Sequence, residues 1–144
     1  MIARAVTIAL GLACAATGAT AGEGEDRMTR IEIRTPDAAL TATLDDSAAG
    51  RDFAAMLPLE LTLRDYHGIE KIADLPRAID RAGAPERYAP EVGDLTVYAP
   101  WGNLAIFYRP FEASRGLVRL GAIDGPLDAL LSGGEVPVTI AVAD

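Results

Sequence analysis

The stretch Gly93 to Phe111, GDLTVYAPWGNLAIFYRPF, limits most what this chain can become. Two apolar runs of strand length meet at Ala99-Pro100-Trp101-Gly102, and proline followed by glycine between such runs marks a tight turn joining paired strands. Five of the chain's eight aromatic residues, Tyr98, Trp101, Phe107, Tyr108 and Phe111, fall inside it. Rings are the largest apolar side chains, so a cluster this dense demands a closed core or a pocket. A fold can be argued from that demand; a reaction cannot.

The rest of the chain supplies partners for this hairpin. In RIEIRTPDAALTATL, Ile31 and Ile33 alternate with charged residues, and Leu40, Ala42 and Leu44 alternate with polar ones. The pattern predicts a second hairpin, with Pro36 fixing φ in the turn and Asp37 bonding back to the backbone. A short helix is expected in DDSAAGRDFAAML, capped by Asp46 or Ser47, with Ala49, Phe53, Met56 and Leu57 at helical spacing and Pro58 as the stop. The Asp45-Asp46 pair reads as a cap and a favourable charge at that helix start rather than as an acid-base couple.

Leu57, Leu59, Leu61 and Leu63 point one way in LPLELTLRDYHG, the pattern of a half-buried strand, and a shorter strand follows at Glu70 to Ala73. Between Pro76 and Asp94, prolines and glycines without apolar periodicity predict a long surface excursion with at most a helical turn, in which Tyr88 serves as a lid or a shield. NLAIFY is apolar on both faces and therefore suits a strand between an interior and a covering element. LVRLGAI resumes a strand, with Gly121 a bulge or a close approach. A helical turn in DGPLDALLSGG would put Leu127, Leu130 and Leu131 on one face and end at Gly133 or Gly134. VPVTIAV closes the count, with Pro137 fitting an edge position or a strand start. Seven or eight short strands, two small helices and no βα alternation predict a mostly β protein: a closed or nearly closed antiparallel barrel in a single domain, residues 28–144.

Ahead of that domain, residues 1–21 place Arg4 before an apolar run that ends in Ala19-Thr20-Ala21, the pattern of a secretory signal peptide. GEGEDR, residues 22–27, reads as a flexible lead-in. A periplasmic or secreted location is expected, with no membrane span in the mature form; a lipoprotein signal using Cys14 is the alternative. Cleavage removes the only cysteine, so the exported form would have no disulfide, cysteine nucleophile or thiolate metal site. The formal charge of −8 is spread without basic stripes, which argues against nucleic acid as a partner.

LPLELTLRDYHGIEKIADLP together with GDLTVYAPWGNLAIFY resembles the bacterial cyclophilin-like proteins, small domains with the cyclophilin barrel and no assigned reaction. The resemblance covers Met28 to the C-terminus and implies an eight-stranded barrel closed by two helices. True cyclophilins isomerise prolyl bonds with an arginine, a glutamine and aromatic residues around a proline pocket. The Phe-His-Arg block carrying that arginine is missing here. In the simplest register, Gly102-Asn103-Leu104-Ala105-Ile106 stands where cyclophilins have glycine-Ser-Gln-Phe-Phe, and Leu104 cannot hydrogen-bond as glutamine does.

Two functions from different classes follow. The first is a non-catalytic exported binding module: Tyr98, Trp101, Asn103 and Tyr108 rim the barrel mouth around a peptide or small ligand, and Arg109 is available for a carboxylate or peptide carbonyl. The second is a divergent peptidyl-prolyl isomerase in which Arg109 or Arg64 replaces the lost arginine. Trp101 either folds back as a lid or faces the ligand, and Phe107 is core. His67, between Asp65 and Glu70, reads as a turn residue, because one imidazole and two carboxylates lack the spacing of a metal motif. No metal or other cofactor is expected.

Overall fold

A computed structural model describes residues 28–132 and 134–144 of the chain. The expected signal peptide and lead-in, residues 1–27, and Cys14 with them, lie outside the described residues. The strands are β1 (Thr29–Arg34), β2 (Ala39–Leu44), β3 (Leu59–Tyr66), β4 (Glu70–Asp74), β5 (Arg87–Tyr88), β6 (Asp94–Tyr98), β7 (Asn103–Phe107), β8 (Ser114–Arg115), β9 (Leu117–Ile123) and β10 (Val136–Val142). The helices are α1 (Ala48–Met56) and α2 (Asp128–Leu131). Eight strands close an antiparallel barrel in the order β1-β10-β3-β4-β7-β6-β9-β2, and β5 pairs with β8 in a separate two-stranded sheet.

Alternation decides what fills the barrel. Ile31 and Ile33 of β1, Leu40, Ala42 and Leu44 of β2, Leu95 and Val97 of β6, Leu104 and Ile106 of β7, and Val118 and Leu120 of β9 join one buried core. Successive side chains on a strand face opposite ways, so the residues between these point outward. β1 and β2 pair from Thr29↔Leu44 to Arg34↔Ala39 as a hairpin. It is Thr35 rather than Asp37 that ties their turn: its Oγ1 accepts from the Ala38 backbone N–H at 3.0 Å. A hydroxyl two positions earlier does the job expected of the Asp37 carboxylate.

Of the two candidate caps for α1, Ser47 caps, its Oγ accepting from the Gly50 N–H at 3.0 Å. Asp46 instead pairs with Arg51 at 2.5 Å. The helix packs against β9, β1 and β2 and delivers Phe53, fully buried, into the core. Leu63 of β3 is fully buried, while Leu59 and Leu61 are half-buried and pack against the core, and Leu57 has become the C-terminal cap of α1.

Two local expectations need correction, and of the two places expected for Pro137 the strand start is the one it takes. The excursion after β4 holds no helical turn; it carries the two-residue strand β5, paired Arg87↔Arg115 and Tyr88↔Ser114. Strands this short leave no periodicity in a sequence. In α2 only Leu127 and Leu130 turn inward, whereas Leu131 is 39% exposed, because a four-residue helix is a single turn that can bury little more than one pair. Pro137 is not on an open edge, since β10 has neighbours on both sides; it sits near the strand start, where β3 pairs at Thr62 but β1 pairs only from Thr139 on. Gly121 is a close approach: an added Cβ would stand 2.1 Å from the Thr43 carbonyl oxygen. The register shift beside it, between Leu95 and Thr96 of β6, lets β9 bend over β2.

Candidate functional site

The alternation that turns Leu104 and Ile106 inward turns Ala105 and Phe107 outward. With Ile72 of β4 and Leu117 of β9 they form a second buried apolar cluster, on the outer wall of the barrel, against which Tyr66, Ile69, Tyr88 and Tyr98 pack. NLAIFY is apolar on both faces for this reason: one face fills the barrel, and the other must be covered from outside.

Part of the cover is the excursion. The Tyr88 hydroxyl donates to Asp94 Oδ2 at 2.5 Å, and the Glu91 N–H donates to the same oxygen at 2.9 Å. Burial, and then the Asp94 carboxylate, push the Tyr88 hydroxyl well above its usual pKa, so it stays a donor. Tyr88 thus shields the wall and is held there.

Beside that cover the wall is open, and a groove of about 370 Å³ lies along it. Phe107 and Leu117, both buried, form its floor, with Tyr66, Tyr98 and Trp101 around it. The β3–β4 turn contributes His67 and Glu70, and the segment after β7 contributes Phe111 and Ser114. Trp101 leaves the β6–β7 turn, where the Trp101 and Gly102 N–H groups both donate to the Tyr98 carbonyl, at 3.1 and 2.9 Å. Gly102 supplies the positive φ of 67° that this turn needs. The indole folds back along the outer wall: its centroid is 5.3 Å from Tyr98 and 5.8 Å from Tyr66, with interplanar angles of 81° and 84°. Despite both contacts it is 58% exposed.

His67 occupies the left-handed region at φ 53°, before Gly68 at φ 66°, and its ring stands edge-on to Tyr66 at 4.2 Å. Glu70, half-buried at the groove, has no ion pair or side-chain hydrogen bond among the described residues. Burial alone raises its carboxyl above the usual value.

Of the residues the sequence singles out, Tyr98 and Trp101 come together here. The other three do not line the groove. Asn103 is 2% exposed; its Nδ2 donates to the Leu104 carbonyl at 3.2 Å and its buried Oδ1 has no partner among the described residues. Tyr108 and Arg109 follow the far end of β7, and the five residues of that strand span roughly 3.3 Å each. Tyr98, which pairs with Asn103, and Tyr108 therefore do not share one end of the barrel.

Tyr108 lies on the inward side, where its hydroxyl donates to Asp65 Oδ1. Lys71, 4% exposed, reaches the same oxygen at 3.8 Å and the Gly134 carbonyl at 3.4 Å. This polar cluster stands at the barrel end, and the groove lies on the wall rather than at the mouth. The Tyr108 hydrogen bond, then the Gly68 N–H and Lys71, hold the Asp65 carboxyl below its usual range against its partial burial. Asp65 and Glu70 thus serve opposite faces, and His67 does not form a triad with them. Arg109 donates its backbone N–H to the Ile69 carbonyl at 3.3 Å.

Sequence reasoning missed Tyr66, Glu70 and Phe111 as groove residues. The signal for Tyr66 was present: it is three residues beyond Leu63 on β3 and so must face away from the leucine side. The indole's reach from a turn on the other side of β7 is written in no periodicity.

The cyclophilin-like family matches residues 33–141 of the chain. Among solved structures, the solution structure of the hypothetical protein AF2241 from Archaeoglobus fulgidus is similar, with a TM-score of 0.61 at 17% sequence identity over 80% of this chain and 95% of that one. At that identity the likeness concerns the fold. No curated protein matches the chain by sequence.

Proposed function

The chain belongs to the cyclophilin-like family, and from that premise we propose that it is a non-catalytic exported binding domain that holds a small ligand, or an apolar side chain of a peptide, in the outer-wall groove. The observation that carries this reading is Trp101: a large ring, 58% exposed, is fixed by two edge-on tyrosines beside a cavity of about 370 Å³. Leaving apolar area in water forgoes about 25 cal/mol per Å². A ring that lies along the wall and still keeps more than half of its surface in water is suited to covering something else. The volume lies near the lower end of small-molecule sites.

The test is a panel of small metabolites and short peptides titrated against the intrinsic fluorescence of Trp101, the only tryptophan in the chain. Saturable changes that disappear in a Tyr98→Ala, Tyr66→Ala double variant are expected. A flat response across a broad panel overturns the reading. Export rests on the leader-like residues 1–21; a reporter fused after residue 27 should leave the cytoplasm, and retention there overturns this part.

The isomerase alternative requires a donor beside a proline held in the groove. Neither Arg64 nor Arg109 lines it, and Leu104 points into the core. Protease-coupled assays on Xaa-Pro tetrapeptides should therefore run at the uncatalysed rate. Activity above background that falls in Arg109→Ala would restore the enzyme reading.

A further inference from the structure

Resting on the reading of the outer-wall groove as a ligand site, we propose that its ligand is a small quaternary ammonium compound, seated among Trp101, Tyr66 and Tyr98 with Glu70 as its counter-ion. Trp101 stands nearly perpendicular to both tyrosines, at 84° and 81°, so the three rings bound a space from different directions instead of stacking shut. Aromatic walls set at angles favour a cation, because each ring carries negative potential on its face.

Glu70 adds the charge. It is the one carboxylate among the groove-lining residues, and no Lys or Arg lines the groove with it. All the other carboxylates whose pKa is displaced, Asp52 and Asp65, have cationic or hydroxyl partners; Glu70 has none among the described residues, and its carboxyl is shifted by burial alone. A half-buried carboxylate without a partner beside three rings is a site short of one positive charge. The chain's formal charge of −8 adds long-range attraction for cations.

The lining also selects the kind of cation. A primary ammonium brings three N–H donors that need acceptors once desolvated. Apart from Glu70, the lining's acceptors are confined to the Tyr66 and Tyr98 hydroxyls, the His67 ring and the Ser114 hydroxyl, while Phe107, Phe111, Leu117 and the Trp101 indole offer none. A fully alkylated nitrogen carries charge with no donors to satisfy, and methyl groups suit such walls. A cavity of about 370 Å³ fits a free small molecule.

Choline and its neutral carbon isostere, 3,3-dimethylbutan-1-ol, are titrated into the full chain by calorimetry and Trp101 fluorescence at fixed ionic strength, with ethanolamine as the primary-amine control. Choline should bind saturably, with the isostere and ethanolamine at least about tenfold weaker. Glu70→Gln should lower choline affinity about as much while leaving the isostere unchanged, and circular dichroism checks that the variant is folded. If Glu70→Gln does not fold, the choline-isostere ratio in the unaltered chain decides alone. An isostere that binds as tightly as choline overturns the ammonium assignment and leaves the apolar-groove reading standing. The same conclusion follows if choline is silent while other members of the metabolite panel bind. Silence of every compound overturns both.

Discussion

The inside of the barrel and its outer wall beside β7 are built by the same strands, yet from different side chains. Inside, the large fully buried residues are mostly aliphatic, among them Ile31, Ile33, Leu44, Leu63, Leu104, Ile106, Leu120 and Ile140; Phe53, brought in by α1, is the one fully buried ring, and Tyr108 is half-buried at the barrel end. Outside stand Tyr66, Tyr98, Trp101, Phe107 and Phe111 around the groove. An eight-stranded barrel is just wide enough for side chains to fill, so branched aliphatics pack it without voids and larger rings are displaced to the wall. On the proposed reading the division separates tasks, with stability in the interior and recognition on the wall.

Four substitutions probe that division, in falling order of their effect on stability. Leu104→Ala should remove about 2–5 kcal/mol in urea unfolding, because a fully buried leucine leaves a cavity. Ligand affinity at the wall should stay the same while the variant is folded; loss of binding in the folded variant would show that the two regions are not separable. Gly121→Val should cost about 1–3 kcal/mol or more by overpacking, since even a Cβ meets Thr43 oxygen at 2.1 Å and Leu44 Cα at 2.7 Å. A thermal midpoint equal to the unaltered chain's would refute that close seam between β2 and β9.

Smaller is Asp65→Asn, at the polar barrel end, where the carboxylate is partly exposed and screened. Its pKa is lower folded than unfolded, first through the Tyr108 hydroxyl. The stabilisation is therefore complete above the usual carboxylate value near pH 4 and is lost as the pH falls through the folded pKa. The gap in urea stability between the two proteins should be open at pH 7 and narrow below about pH 4; a gap constant with pH would remove Asp65 from the account. Trp101→Ala, the last, should shift stability by no more than about 0.5 kcal/mol, as an exposed residue does. It should nevertheless abolish groove binding in calorimetry, and a large stability loss would make the indole a structural cover.

Much of the barrel was legible because period-two alternation names residues that share a face. Ile31 with Ile33, and Leu40 with Ala42 and Leu44, went where alternation sent them. β5 and β8 were not legible, since two residues cannot show a period. Alternation also says nothing about which face is inside when both are apolar, as in NLAIFY. Tyr98, Asn103 and Tyr108, grouped at one barrel mouth on the sequence, are for this reason found apart: Asn103 is buried, and Tyr108 turns inward to Asp65.

By itself, the sequence determined the eight barrel strands, the places of the hairpin turns, the first helix with a cap at Asp46 or Ser47, and a supply of rings too large for a narrow interior. These are local matters of pleat, proline, glycine and hydrogen-bond donors, settled within a few residues. Only the tertiary structure decided that the rings would gather on the outer wall, and that Trp101 would lie between Tyr98 and Tyr66, 35 residues apart from the latter in the chain. Barrel closure chooses which apolar face becomes the inside, and that choice depends on every strand at once.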